Sequence, residues 1–196
     1  MQNQIAKEIE IFLDHHVTNK RRVHTTGVVA EAIRLAERYK EDSEKAVLAA
    51  RCHDMAREYT NEELNQFLVA YDLPERYRDA PDLSHGKIAA AMLQKEFGIQ
   101  DKEVLNAVSF HTTGRKGMSL LEKIIYVADA IEPSRNYPGV EEIRRTADED
   151  LDRACLMAME STIRYVKDRG KQLDQDTEAA MAWIHTIITE SRKDCL

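Results

Sequence analysis

The feature that most constrains this chain is an ordered series of imidazole and carboxylate side chains: His24, the adjacent pair His53 and Asp54, His85, His111 and Asp129. Each sits in an otherwise helix-forming segment. Nitrogen and oxygen donors without thiolates suit iron, manganese, zinc or magnesium, and one carboxylate can bridge two such ions. The expected destination is a two-metal hydrolytic site, built where dispersed helices meet.

With 43% hydrophobic residues, the 196-residue chain can bury a sizeable core as one domain without disulfide staples. Its 7 Gly and 4 Pro are few, so helices should dominate and an all-α single-domain bundle is predicted. Apolar residues at helical spacing predict two opening helices, through Ile5, Ile9, Phe12 and Leu13 and then Val28, Ala32 and Ala36. A third helix, from Ser43 through the run Ala46 to Ala50, is expected to carry His53 and Asp54. Thr60 caps a short helix. Pro74 and Pro81 mark a loop, after which Ser84 is read as the cap of a helix ending at Phe97, with His85 in its first turn. Asp101 opens the helix that ends at His111, and Ser119 caps Leu120 to Ile131, which surrounds Asp129 with apolar neighbours. Beyond Pro138 and Gly139, one long helix from Asp150 to Lys167 and another from Thr177 to Arg192 are predicted.

The net charge of −7 and pI near 5.6 argue against a surface for nucleic-acid polymers or anionic membranes. Bound cations and a few clustered basic residues can still attract phosphates locally. Cys52, Cys155 and Cys195 are odd in number and far apart, so they read as free thiols of a reducing compartment, with Cys195 in an exposed tail. The opening residues lack the pattern of an export signal, and no segment reaches the roughly 20 apolar residues of a membrane span. A cytoplasmic protein is expected.

Consecutive helical residues point about 100° apart, so His53 and Asp54 cannot converge as an i,i+4 pair does. That geometry favours a metal against the helix ridge and a bridging Asp54. The series His24, His53-Asp54 and Asp129 resembles the H…HD…D pattern of HD-domain metal-dependent phosphohydrolases, and His85 and His111 resemble the added ligands of two-metal members. Arg21-x-x-His24, His53-Asp54-x-x-Arg57, Ser84-His85-Gly86, His111-Thr112-Thr113-Gly114 and Asp129-Ala130-Ile131-Glu132-Pro133-x-Arg135 are similar to the bacterial YqeK family.

The resemblance covers most of the chain and implies an HD-type bundle at about 18–137, buttressed by helices at about 140–193. It implies symmetrical cleavage of diadenosine tetraphosphate to two ADP by metal-activated hydroxide at a dinuclear centre, most naturally of iron, with manganese or zinc as alternatives. His24, His53, Asp54 and Asp129 would hold one ion, and Asp54, His85 and His111 the other. Asp54, Asp129 and Arg57 are the candidate catalytic residues. Arg57, Lys87, Thr112, Thr113, Arg115 and Arg135 are candidate phosphate contacts. Glu132 can hold Arg135 or cap the local turn. The expected partner is a nucleotide, and homodimerisation stays open. Alternatives are hydrolysis of another nucleotide, a mixed-valent di-iron oxygenase, and a nonenzymatic nucleotide-sensing module.

Overall fold

Local side-chain chemistry sets most of the helix boundaries. The computed structural model describes residues 2–193, so Cys195 lies outside it. Thr18 accepts from the Arg21 amide and opens α2 (Asn19–Tyr39), which follows α1 (Gln2–His16). Asp42 caps α3 (Ser43–Cys52), and Thr60 with Glu63 closes a reciprocal capping box on α4 (Asn61–Ala70). Then come α5 (Pro81–Lys95), α6 (Lys102–Phe110) capped by Asp101, and α7 (Leu120–Ile131), whose capping box joins Ser119 and Glu122. The chain continues through α8 (Val140–Glu149), α9 (Leu151–Asp168) and α10 (Gln175–Lys193). No strand occurs among the described residues.

α7 is the axis of the bundle, packing against α2, α3, α6, α8 and α9. Leu121, Ile124, Ile125 and Ile131 are wholly buried, each contributing about 1.5–3 kcal/mol of apolar burial. Asp129 is therefore carried by the most firmly packed helix. α2, α3 and α6 pack on α7 and α5 packs on α6, while α8 and α9 pack on α7 and on each other and α10 packs on α9. Cys52 and Cys155 are buried free thiols. No described helix is long and apolar enough to cross a membrane.

Three local expectations change. First, α3 stops at Cys52, so His53 and Asp54 are not within its regular helix. The Met55 amide bonds Cys52 O at 3.1 Å and the Arg57 amide bonds Asp54 O at 2.9 Å, a tightened i→i−3 pattern. Second, Pro81 opens α5 at its first position, and Ser84 is buried inside the helix rather than capping it. Third, the segment before Asp150 forms α8, which buries Val140, Ile143 and Ala147 along one stripe.

Candidate metal centre

Four histidines reach a common region from four elements. His24 lies within α2, His53 is the C-terminal cap of α3, His85 lies in α5, and His111 caps the end of α6. All are buried. In three of them Nδ1 faces a backbone carbonyl: Ala50 O at 2.6 Å for His53, Pro81 O at 2.9 Å for His85 and Val108 O at 2.8 Å for His111. Nδ1 of His24 faces Glu132 Oε1 at 3.1 Å instead. Carbonyls and carboxylates only accept, so Nδ1 carries the hydrogen in each ring and the Nε2 lone pairs point inward.

Those lone pairs face one another. His85 Nε2 lies 3.1 Å from His111 Nε2, and His24 Nε2 lies 3.4 Å from His53 Nε2. Two unprotonated nitrogens cannot satisfy each other, so each pair calls for a shared positive charge, a proton or a metal ion. Carbonyl-oriented imidazoles are the usual second layer of a metal site, fixing both tautomer and ring direction. The donors therefore fit divalent ions.

Asp54 stands between the two pairs. Its Oδ1 lies 3.1 Å from His85 Nε2 and 3.6 Å from His111 Nε2, while Oδ2 lies 3.5 Å from His53 Nε2 and 3.7 Å from His24 Nε2. Asp129 Oδ1 completes the His24 side at 3.1 Å. Two overlapping ligand groups result, His24 with His53 and Asp129, and His53 with Asp54 and His111. His53, the cap of α3, belongs to both groups, and Asp54 follows it beyond the last regular turn.

The field here is strongly cation-seeking. Burial pushes the Asp54 carboxyl up, but His53, His111 and His85 outweigh it and hold the group well below the usual carboxylate range. Asp129 is likewise held well down despite burial, by His24, Arg135 and His53. Burial pushes His53 down, yet the Asp54 charge dominates and raises it to about 9. The same field that favours a proton there favours a metal ion.

The candidate phosphate contacts fall into two groups. Arg135 bonds the Asp129 carboxylate at 2.5 Å and Asp129 O at 2.8 Å, and Arg57 reaches Asp82 at 2.7 Å while approaching His85 Nδ1 at 3.4 Å. Both adjoin the ligands. Lys87 is buried, its Nζ sitting 3.3 Å from the Phe110 ring centroid and 3.9 Å from Asp176 Oδ2, and burial pushes its ammonium down to about 8. Arg115 is bidentate to buried Glu122, at 2.6 and 2.9 Å. The Thr113 hydroxyl donates to Gly114 O, whereas the buried Thr112 hydroxyl has no hydrogen-bond partner.

Three other residues shape the centre. Arg21 donates to Asp54 Oδ2 at 2.5 Å, and its position one helical turn before His24 is the sequence signal for that contact. Glu132 fixes His24, accepts from the Ser134 amide at 2.7 Å, and adds a longer contact to Arg135 at 3.8 Å. Arg144 of α8 donates to Ile131 O, Glu132 O and Arg135 O at 2.8, 2.9 and 3.0 Å, tying down the turn after α7. Nothing local in the sequence marks that last role.

A family model described as HD domain matches residues 21–134. A Bacillus subtilis (strain 168) protein named symmetrical bis(5'-nucleosyl)-tetraphosphatase is 41% identical over 169 residues, covering 86% of this chain and 91% of the relative. A relative of the same name from Halalkalibacterium halodurans is 42% identical, with 84% and 88% covered. A solved structure from Clostridium acetobutylicum, described as a predicted HD superfamily hydrolase involved in NAD metabolism, superposes with a TM-score of 0.87 at 42% identity. That match covers 92% of this chain and 97% of the other.

Proposed function

We propose, since this chain belongs to the HD domain family and to its YqeK branch, that it is a metal-dependent symmetrical bis(5'-nucleosyl)-tetraphosphatase. Its substrate is diadenosine tetraphosphate and its product two ADP. One observation carries the reading: Asp54 presents one oxygen to His85 and His111 and the other to His24 and His53. A carboxylate so divided matches a dinuclear centre rather than a single ion.

In this reading His24, His53, Asp54 and Asp129 hold one divalent ion, and Asp54, His85 and His111 the second. Iron is the proposed occupant of both, as the family resemblance implies; the same imidazole and carboxylate donors also take manganese or zinc. When bound, such a pair would supply Lewis acidity and lower the pKa of a bound water toward neutrality. The protein's own contribution is positional. Asp129 accepts from Arg135, which places a guanidinium beside the proposed scissile phosphate, and Arg57 offers another from the His85 side. Together they neutralise charge that develops on the phosphoryl oxygens during in-line displacement. Residues 140–193 buttress the ligand-bearing bundle as part of one HD domain.

The test is product analysis by chromatography on protein loaded separately with iron, manganese or zinc. ADP as the dominant product supports the reading, and ATP with AMP would overturn symmetrical cleavage. Equal turnover in air and without oxygen separates hydrolysis from the oxygenase alternative.

A further inference from the structure

Arg57 is held by the same turn that orients a metal ligand. Pro81 O, at the start of α5, accepts from Arg57 Nη1 at 3.2 Å and from His85 Nδ1 at 2.9 Å, so one carbonyl sets the direction of both side chains. The next residue, Asp82, accepts from Arg57 Nη2 through Oδ1 at 2.7 Å. Its other oxygen accepts from Lys171 at 2.7 Å. Lys171 comes from the connection between α9 and α10, and the start of α10 is moored to the 3-10 turn Glu75–Tyr77, where Asp176 accepts from Arg76 at 2.7 Å and from the Tyr77 hydroxyl at 3.1 Å.

We infer that Asp82 is a positioning residue, which holds the Arg57 guanidinium beside His85 where a phosphate at the metal centre meets it, and that Lys171 keeps the three-membered group positively charged. The inference rests on the phosphohydrolase reading above and adds to it what fixes Arg57 and what links the C-terminal helices to the reaction. Geometry supports it. A guanidinium carries its N–H donors in one rigid plane, so anchoring Nη1 and Nη2 on adjacent residues fixes the direction of Nε–H and of the second hydrogen on each Nη, which stay available to an anion. Charge explains the third member. Arg57 and Asp82 alone cancel and attract an anion weakly, whereas Lys171 restores one net positive charge. The Asp82 carboxyl is a fixed negative charge, since Lys171 first and Arg57 next hold it down to about 2. With Asp82 and Lys171 53% and 55% exposed, solvent screens the pairing, so its worth lies in direction rather than in stability. Asp82 also lies in the first turn of α5, where a carboxylate favours the helix dipole whatever it touches, and the test separates the two roles.

Inorganic pyrophosphate, titrated by calorimetry into the manganese-loaded protein, is the probe. Asp82→Ala should weaken its binding about two- to fivefold, the span that exposed ion pairs carry, even though the substitution removes a negative charge. Equal or tighter binding would mean that Asp82 only cancels charge, and the inference would be lost. In the Arg57→Ala background the same substitution should change nothing, and in neither background should it alter manganese affinity. A loss that persists without Arg57, or weaker manganese binding, would assign Asp82 to the α5 dipole and to His85 instead. Lys171→Met, on an exposed side chain, should weaken pyrophosphate binding at low salt and converge with the unsubstituted protein at high salt. No effect at low salt would remove Lys171 from the group. Failure to cleave diadenosine tetraphosphate, with Asp82 and Arg57 still coupled in pyrophosphate binding, would count against the proposed reaction and for the positioning.

Discussion

At the scale of single residues, the centre depends on atoms that never touch a metal. The Nδ1–H of His24 is held by Glu132, whose carboxylate also receives the Ser134 amide and hydroxyl. Burial pushes the Glu132 carboxyl up, but bonds from Ser134 and His24 outweigh it and keep it below its ordinary value, ready to accept. Glu132→Gln preserves shape but allows the amide to present NH2 to His24, which favours the wrong tautomer. Metal affinity should fall about 10–100-fold, the usual effect of losing an outer-layer partner. Manganese titration followed by calorimetry, with far-UV circular dichroism as a fold control, checks this. An unchanged affinity would show that His24 is oriented by packing alone. Close packing enforces the same geometry elsewhere: a Cβ on Gly86 would meet the His111 ring at 3.1 Å, and one on Gly27 would meet Glu132 Oε2 at 2.7 Å.

At the scale of elements, α8 acts on the centre without contributing to it. Arg144 spreads one guanidinium over three carbonyls of the turn that carries Glu132 and Arg135. Arg144→Met keeps the aliphatic stem but leaves those acceptors without their charged donor. A cost of about 1.5–3 kcal/mol is expected, the range for hydrogen bonds to charged groups. Denaturant unfolding measures it, and a parallel weakening of manganese binding would show that the turn positions Asp129. Stability loss with unaltered metal affinity would confine Arg144 to a structural role. This helix was also the least legible in the sequence. Val140, Ile143 and Ala147 are its only buried residues among ten, too sparse a stripe to stand out against flanking acidic and basic residues. By contrast, the caps Thr60, Asp101 and Ser119 were readable because short oxygen-bearing side chains satisfy orphan amides wherever a helix begins. Ser84 misled for the same reason: Pro81 had already supplied the helix start three residues earlier. The six side chains that gather at the centre could be read in order, but no residue type in the sequence marks where α3 ends at Cys52.

At the scale of the whole molecule, the ligands join helices that the apolar core already holds together. His24, His85 and Asp129 come from α2, α5 and α7, and His53 and His111 cap the ends of α3 and α6; those helices share buried residues such as Val28, Ala49, Ile88, Val108 and Ile125. The core therefore makes the site, and a metal adds stability by binding the native arrangement alone. An ion at 100 times its dissociation constant contributes about 2.7 kcal/mol per site. For a chain of this size, that raises the midpoint of thermal unfolding by about 5–11 °C. Chelation should reverse the gain while helical circular dichroism persists at 25 °C, since the interior remains packed. Scanning calorimetry with chelator and with excess manganese provides the measurement. A loss of helical signal on chelation would mean that metal binding drives folding, as in small zinc domains. An unmoved midpoint would mean that the five helices do not deliver their ligands to shared ions, and the dinuclear reading would fall with it.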